Sequence, residues 1–232
     1  MAASNERKRR RQAGVTLVEL LVVMIVLSIV TTMIISGWIS LQSSYAHSVN
    51  ENDARSTARY ALNYASGELR AAQPLSLTTP AQSPFTVAQP MEVDYYSSHD
   101  QPGTAADGSG IANLRLTRIY LDTTTGTLYW QRDTNNNGSW DSSDQKVVLA
   151  SNVVNNSTPN PTVTPATSYT AIFTYGYLDT NGNLATTDTV ATANLGTIVS
   201  VTVRIMVAAS PSHTTTPADL QATVSVRNAP GG

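Results

Sequence analysis

The chain has 232 residues, no cysteine, and 14 basic against 16 acidic side chains, for a formal net charge of −2. Without cysteine it has neither disulfides nor a thiol nucleophile, which excludes disulfide-stapled folds and cysteine enzymes. The charge balance, with no basic patch in the later part of the chain, does not indicate nucleic acid as a partner.

A basic cluster and a long apolar run stand near the N-terminus. Residues 7–11 are all Arg or Lys, and residues 15–41 are all apolar, small or hydroxylated except Glu19. A bilayer core about 30 Å thick needs roughly 20 helical residues at about 1.5 Å each, so this run is long enough to cross a membrane. The alternative is a cleaved secretory signal, but its apolar region is only about 7–15 residues long and ends at a small-residue cleavage site.

The residues around Glu19 resemble a known signal. An unpaired carboxylate deep in a membrane helix costs about 2–3 kcal/mol, so a partner for Glu19 is expected. The stretch resembles the class III signal of type IV prepilins and type II secretion pseudopilins. The resemblance is carried by eight consecutive residues after the basic cluster, Gly14-Val15-Thr16-Leu17-Val18-Glu19-Leu20-Leu21.

The resemblance implies processing and assembly. A prepilin peptidase would cut between Gly14 and Val15 and methylate the new amine of Val15, where the family usually has Phe. Glu19 is then the fifth residue after the cut, and by resemblance its carboxylate pairs with the N-terminal amine of a neighbouring subunit. The implied partners are other pilin or pseudopilin subunits, the prepilin peptidase, the inner-membrane assembly platform and the lipid bilayer.

The charges flanking the apolar run predict its orientation. Residues 42–50 carry no Lys or Arg, so the positive-inside rule places the N-terminus in the cytoplasm and the rest outside. We expect a leader at residues 1–14, a membrane and assembly helix at 15–41, an amphipathic continuation at 42–72, and an extracytoplasmic β-rich head at 73–232. Removal of the leader takes away five basic residues and one acidic residue and leaves a net charge of −6.

The helix is predicted to continue beyond the apolar run. No proline occurs in residues 42–72, so we expect one helix from residue 15 to 72, ended by Pro74. Small or apolar residues recur there at spacings of three and four, as in an amphipathic helix: Ala54, Ala58, Ala61, Leu62, Ala65 and Leu69.

The remainder of the chain predicts strands. A proline-containing connection is expected at residues 74–90. One long helix followed only by strands predicts an α+β fold with an antiparallel sheet, as in type IV pilins. The predicted strands are residues 91–96, 114–121, 127–132, 146–150, 169–178, 197–207 and 222–227.

Residues 133–144 have the spacing of a calcium loop. Oxygen side chains stand at its first, third, fifth, ninth and twelfth positions, Gly138 is sixth, and the seventh ligand would be a backbone carbonyl. The loop therefore resembles an EF-hand or dockerin-type Ca²⁺ loop. The alternative is an Asn- and Gly-rich hairpin tip whose side chains cap their own backbone. The candidate ligands are Asp133, Asn135, Asn137, Ser139, Asp141 and, in place of the usual Glu, Asp144.

No catalytic site is predicted. The three histidines, His47, His99 and His213, lie far apart without metal-ligand spacing or a nucleophile motif. The aromatic residues of the 169–178 strand predict sheet packing, with a sugar-binding platform as the alternative. Those residues are Tyr169, Phe173, Tyr175 and Tyr177. Residues 179–183 predict a hairpin turn.

These features predict a structural subunit, not an enzyme. The expected function is a minor pilin, made as a single-pass inner-membrane protein and then moved into a type IV pilus. The sheet-rich head and the hairpin before residues 133–135 resemble minor pilins of the W type and pseudopilins of the J type. The alternatives are a type II secretion pseudopilin and a membrane-anchored calcium- or glycan-binding surface protein that keeps an uncut N-terminus.

Overall fold

The structure is a computed structural model that describes residues 15–74, 83–97, 114–155, 170–209 and 216–226. The described residues form two compact units that divide between Ser48 and Val49. Within these described ranges, one α-helix is followed by nine strands and a 3-10 turn. In chain order the elements are α1 (Leu17–Arg70), β1 (Phe85–Ala88), β2 (Glu92–Ser97), β3 (Arg115–Asp122), β4 (Thr127–Arg132), β5 (Gln145–Ala150), β6 (Phe173–Leu178), β7 (Leu184–Thr187), the 3-10 turn (Thr192–Thr197), β8 (Ile198–Val207) and β9 (Ala218–Ser225).

The single long helix is confirmed. α1 runs for 54 residues, and its ends lie two residues inside the predicted limits of 15 and 72. Residues 15–50 are exposed along their whole length. In the second unit the same helix buries one face, with a spacing of three and four residues that follows the predicted pattern. The buried positions on that face are Ala54, Ala58, Ala61, Leu62, Ala65, Ser66, Glu68 and Leu69.

The predicted α+β class is confirmed, but the strands form two antiparallel sheets where one was expected. The first sheet has the order β1-β2-β3-β4-β5 and the second β7-β6-β8-β9. β1 lies inside the predicted connection at residues 74–90, so that part of the prediction was wrong, and β7 was not predicted. The segment after β5 connects the sheets through an isolated bridge between Val153 and Val207.

The core lies between α1 and the strands. The inward face of the first sheet includes Val93, Ile119 and Trp130, which are at most 2 % exposed and belong to the same buried cluster as the helix alanines. Tyr64 of α1 meets Trp130 edge to face, with ring centroids 5.9 Å apart. Alanine lets a helix backbone approach a sheet closely, so the bulky side chains of the core come mainly from the strands.

A buried ion pair joins α1 to β4. Arg132 Nη2 lies 3.7 Å from Glu68 Oε2, and the two side chains are 5 % and 1 % exposed. The Tyr95 hydroxyl also donates to Glu68, at 3.4 Å, and the Arg132 guanidinium lies 4.8 Å from the centre of the Trp130 ring. A buried pair contributes little net stability, but loss of one partner leaves the other charge uncompensated.

We therefore predict that Glu68→Gln lowers the free energy of unfolding by about 3–5 kcal/mol. The double variant Glu68→Gln with Arg132→Met should regain a large part of that loss, because it removes the orphaned cation as well. Urea unfolding of the full-length protein in detergent measures both values.

The exposed pair of Arg204 and Asp219, 2.6 Å apart, provides the matched control. Asp219→Asn should cost no more than about 1 kcal/mol, because solvent screens this pair. An equal loss for Glu68→Gln and Asp219→Asn would contradict the proposed cost of leaving Arg132 unpaired.

Candidate functional site

The first candidate site is the start of α1. Thr16 directly precedes the helix, and its hydroxyl accepts a hydrogen bond from the Glu19 backbone N–H at 3.2 Å. The Leu20 N–H donates to the Thr16 carbonyl at 3.1 Å. Thr16 is therefore the N-cap, and Glu19 is the third helical residue, where the positive end of the helix favours a carboxylate.

The cap fixes the direction in which Glu19 points from the helix axis. Thr16 and Glu19 have the Thr-x-x-Glu spacing of a capping box, a signal that is present in the sequence and was not used in the prediction. Val15 is exposed directly before the cap, whereas Gly14 lies outside the described residues. The structure thus leaves the proposed cleavage between Gly14 and Val15 untested.

The helix surface beyond Glu19 is apolar and exposed. Glu19 is the one charged residue between positions 15 and 46. Four hydroxyl side chains interrupt the aliphatic surface, but each donates to a backbone carbonyl three or four residues earlier, at 2.7–2.8 Å. They belong to Ser28, Thr31, Thr32 and Ser36. Because these hydroxyls are satisfied within the helix, they do not require water.

By length and composition, α1 is able to cross a membrane. Its most apolar 18-residue window has a mean hydropathy of 2.7, and none of that window is buried in the protein. Exposed fractions of 81 % for Leu17 and 69 % for Trp38 show how little of this surface the rest of the described chain covers. An apolar surface of this extent on a protein marks a membrane or protein contact.

The second candidate site is the loop of residues 133–144, which connects β4 to β5. Asp133 is fully buried at its start and accepts backbone N–H groups with both oxygens, from Asn136 at 2.6 Å and from Gly138 at 2.7 Å. Asn136 and Gly138 have φ values of 58° and 73°, in the left-handed region. The Asp133 carboxylate therefore holds the tight turn in place.

Asp141 organises the middle of the loop. Its Oδ2 accepts the side-chain amides of Asn135, at 3.1 Å, and Asn137, at 2.9 Å. Its Oδ1 accepts the hydroxyl and the backbone N–H of Ser143, at 2.6 and 2.7 Å. These hydrogen bonds, led by that of the Ser143 hydroxyl, lower the pKa of Asp141 to about 2.

Asp144 closes the loop onto the sheet. Its Oδ1 accepts the Thr134 N–H at 3.3 Å, and its Oδ2 accepts the Asp141 N–H at 2.8 Å. The Gln131 side-chain amide also donates to Oδ2, at 3.3 Å, which attaches the end of the loop to β4. Each carboxylate of the loop therefore accepts hydrogen bonds from nearby groups, as the hairpin alternative describes.

The loop geometry can be compared with what calcium binding needs. The candidate ligands are carboxylate and amide oxygens on a single turn, a chemistry that suits Ca²⁺. However, Asn135 and Asn137 face Asp141 with their amide nitrogens, so cation binding requires both amides to turn over. In the described part of the chain, no group of three or more His, Cys, Asp or Glu side chains is placed to hold a metal.

The other singled-out residues that the structure describes do not form a site. Phe173 and Tyr175 are fully buried, and the Tyr175 hydroxyl donates to backbone carbonyls of Gln89 and Glu92 at 3.0 and 3.3 Å. Phe173 and Tyr175 therefore pack in the core, as predicted, and Tyr177 is half-buried against it. His47 is exposed on α1. Tyr169, His99 and His213 lie outside the described residues.

The predicted turn at residues 179–183 joins β6 to β7, as expected. Asp179 Oδ1 accepts the N–H groups of Asn181 and Asn183, both at 2.8 Å. The Asp179 N–H in turn donates to the Asn183 carbonyl at 2.9 Å, and Gly182 has a φ of 77°. These contacts close a self-capped hairpin.

Sequence reasoning missed a cluster on the outer face of the first sheet. The Arg118 guanidinium lies between the rings of Tyr120 and Trp140, 4.3 and 4.5 Å from their centres. Asp94 of β2, the cross-strand neighbour of Arg118, is buried beside this cluster, and its burial raises its pKa to about 7. Arg118 and Trp140 are 22 positions apart in the sequence, so no local pattern indicated their contact.

Comparison with known proteins bears on the N-terminal site. Residues 9–35 match the family model of the prokaryotic N-terminal methylation motif, which spans Gly14, Val15, Thr16 and Glu19. No curated protein matches the chain. The motif coincides with the capped start and the apolar surface of α1. Residues 9–35 thus match the motif that serves as the class III signal of type IV prepilin-like proteins.

Proposed function

We propose that this chain is a minor pilin, cleaved after Gly14 and then built into a type IV pilus, where it primes or caps the fibre. The observation that carries the proposal is the methylation motif at residues 9–35, with Glu19 as the one charged residue on the exposed apolar surface that follows. The family is structural, so the role is assembly and not catalysis.

Electrostatics gives Glu19 its role. A lone carboxylate in the membrane costs about 2–3 kcal/mol. Cleavage frees the amine of Val15 on each subunit, and an opposite charge about 4 Å away at an effective dielectric constant of about 20 contributes about 4 kcal/mol. Pairing of Glu19 with a neighbour's amine therefore offsets the cost of its burial, and it does so only when a second subunit is present.

The apolar surface provides the remaining contacts. In the bilayer it faces lipid, and in the fibre it packs against the corresponding helices of other pilin subunits. The Thr16 cap supports this role, because it holds Glu19 at a fixed angle on the helix. The prepilin peptidase and the inner-membrane assembly platform are the partners that act before the fibre forms.

The basic cluster at residues 7–11 supports an orientation with the N-terminus in the cytoplasm and the C-terminus outside. The proposed division follows: a leader at residues 1–14, a membrane and assembly segment at 15–41, an amphipathic segment at 42–72, and an extracytoplasmic head at 73–232. The protein would therefore reside in the inner membrane and later in the pilus.

A type II secretion pseudopilin is the alternative within the family, because the same N-terminal signal serves both systems. The sheet-rich head resembles both minor pilins of the W type and pseudopilins of the J type, so it does not distinguish the two roles. Deletion of the gene separates the roles: loss of surface pili supports the minor pilin, whereas loss of protein secretion with normal pili supports the pseudopilin.

A membrane-anchored surface protein that binds calcium or a glycan is the alternative from another class. The loop of residues 133–144 supports the calcium-binding version of this alternative. A buried carboxylate, Asp133, is at its first position, and a glycine with a left-handed backbone conformation, Gly138, is at its sixth. Such a protein would keep its leader, whereas a pilin loses it. We also propose that this loop takes up Ca²⁺ in the pilin itself when the amides of Asn135 and Asn137 turn over.

The N-terminus distinguishes these classes. Mass spectrometry of the protein purified from membranes should find a mature chain that begins with N-methylated Val15. A chain that retains Met1, or one cut at another residue, would contradict the pilin and support the anchored protein.

A charge-neutral replacement tests the role of Glu19. Glu19→Gln keeps the size of the side chain and removes its charge, so we expect normal leader removal but at least tenfold less protein in sheared pili, measured by immunoblot. Glu51→Gln makes the same chemical change further along α1 and should leave incorporation at the parental level. Normal incorporation of Glu19→Gln would rule out pairing with a neighbour's amine.

A thermal titration tests the calcium loop. At a Ca²⁺ concentration ten times Kd, binding contributes about 1.4 kcal/mol, which raises the melting temperature of a chain of this size by roughly 3–6 °C. Asn137→Asp should enlarge this rise, because its new carboxylate repels Asp141 until a cation lies between them.

Asp144→Ala should abolish the rise, and Asn183→Asp, in the other Asn-containing hairpin, should leave it unchanged. Mg²⁺ at the same ionic strength serves as the control for screening. The calcium proposal fails if neither the parent nor Asn137→Asp gains stability in Ca²⁺.

A further inference from the structure

The sequence contains two Asn-Gly pairs, Asn137-Gly138 and Asn181-Gly182. We propose that the second pair is a site of self-modification, at which Asn181 loses its side-chain amide by spontaneous deamidation, whereas the surrounding loop protects the first pair. The product is aspartate or isoaspartate at position 181. This inference concerns the head alone and does not rest on the assembly or calcium roles proposed above.

The reaction needs only the chain and water. The Gly182 nitrogen loses its proton and bonds to Asn181 Cγ, the Cγ–Nδ2 bond breaks, and the amide nitrogen leaves as ammonia with that proton. Water then opens the cyclic imide at one of its two carbonyls, which gives aspartate or isoaspartate. One water is consumed and one ammonia is released, without an oxidant or a reductant. Glycine favours the ring closure because it has no side chain beside the attacking nitrogen.

The two pairs are matched in exposure and backbone conformation. Asn137 and Asn181 are both exposed, and the glycines that follow them have φ values of 73° and 77°. A Cβ added at either glycine would meet no neighbouring atom within 4 Å. The two pairs therefore differ neither in access to water nor in crowding, and the difference between them lies in their hydrogen bonds.

Hydrogen bonds hold the groups of the first pair that would have to react. Asn137 Oδ1 accepts the Ser139 N–H at 2.8 Å, and Asn137 Nδ2 donates to Asp141 Oδ2 at 2.9 Å. The Gly138 N–H donates to the buried carboxylate of Asp133 at 2.7 Å. Two of these acceptors are carboxylates, which form the stronger hydrogen bonds. Cγ of Asn137 can reach the glycine nitrogen only after these bonds are lost.

The second pair is held far more weakly. The side chain of Asn181 makes no hydrogen bond with any residue in the described ranges, and its backbone N–H donates to Asp179 Oδ1 at 2.8 Å. The Gly182 N–H donates to the Asp179 carbonyl, at 2.9 Å, across an exposed turn. A single hydrogen bond of an exposed turn opens readily by local fluctuation. Asn181 Cγ is therefore free to turn toward the glycine nitrogen.

The number of hydrogen bonds sets the expected difference in rate. The reaction at Asn137 requires three of them to open, and the reaction at Asn181 requires one. A typical hydrogen bond lowers the fraction of open molecules about fivefold. Deamidation in the folded protein should therefore be roughly tenfold or more faster at Asn181 than at Asn137.

The modification acts on the edge of the second sheet. Isoaspartate at position 181 lengthens the backbone of the turn, which is closed by the Asp179 N–H donating to the Asn183 carbonyl at 2.9 Å and by the first ladder pair, Leu178 and Leu184. Aspartate there adds a negative charge beside Asp179. β7 has four residues and stands at the end of its sheet, with β6 as its neighbour. The modified turn therefore weakens the pairing of β7 with β6.

Tandem mass spectrometry of proteolytic peptides measures both sites in one sample. The full-length protein is incubated in detergent micelles at mildly alkaline pH, which favours loss of the glycine amide proton. Asn181 should lose its amide roughly tenfold or more faster than Asn137, whereas in concentrated urea the two pairs should react at similar rates. Equal rates in the folded protein, faster reaction at Asn137, or the same preference in urea would each overturn the proposal.

Two variants test the cause and the consequence. Asp141→Ala removes the acceptor of the Asn137 amide at an exposed position, so Asn137 should react several-fold faster while Asn181 keeps its rate. An unchanged rate at Asn137 would reject protection by these hydrogen bonds. Asn181→Gln would have to close a larger ring and should form no product at this position.

Hydrogen–deuterium exchange then reports on the edge strand. After incubation, the amides of residues 184–187 should exchange faster in the parent, because β7 pairs less firmly with β6. Asn181→Gln provides the matched control and should keep its initial exchange rates through the same incubation. Equal exchange in the incubated parent and the incubated variant would show that the modification does not loosen β7.

Discussion

The structure depends on one helix that satisfies its backbone within itself while its side chains face two different surroundings. Residues 17–50 of this helix are exposed, and the hydroxyls of Ser28, Thr31, Thr32 and Ser36 bond to carbonyls of the same helix. Beyond Val49 the helix buries a face of small residues against the strands, with Glu68 paired to Arg132 as the charged contact in that face. In a membrane, a break within the apolar stretch of residues 17–41 would leave backbone groups unpaired in an environment without water.

The sequence predicted the helix well because its signals are local. An uninterrupted apolar run, alanines at spacings of three and four, and a terminal proline each follow from neighbouring residues. The same applies to β4, whose predicted limits of 127 and 132 agree with the structure. The strands β1 and β7 were missed because each has four residues, and β1 lies between prolines that favour a connection.

What the sequence could not predict is contact between distant segments. The division into two sheets depends on the strands with which β6 pairs. β6 forms hydrogen bonds with β7 and with β8, and with neither β5 nor any other strand of the first sheet. The burial of Asp94 could not be predicted for the same reason. Its side chain is on the outer face of the first sheet, and whether that face is covered depends on segments distant in the sequence. The loop of residues 133–144 is a different case, because its sequence pattern allows two interpretations. Its polar side chains could bind a cation or accept backbone N–H groups, and in the structure its carboxylates accept backbone N–H groups.

The internal hydroxyl bonds of α1 also have a mechanical consequence. Because the hydroxyls of Ser28, Thr31, Thr32 and Ser36 are occupied by the helix's own backbone, the stretch around them presents mainly aliphatic groups to its neighbours, and dispersion forces between such groups have almost no directional preference. Two such helices lose little energy when one turns about its axis or slips along the other by a fraction of a turn. In a fibre assembled from such helices, the aliphatic surface would contribute contact area, and the proposed pairing of Glu19 with a neighbour's amine would set how far one helix is shifted along the next.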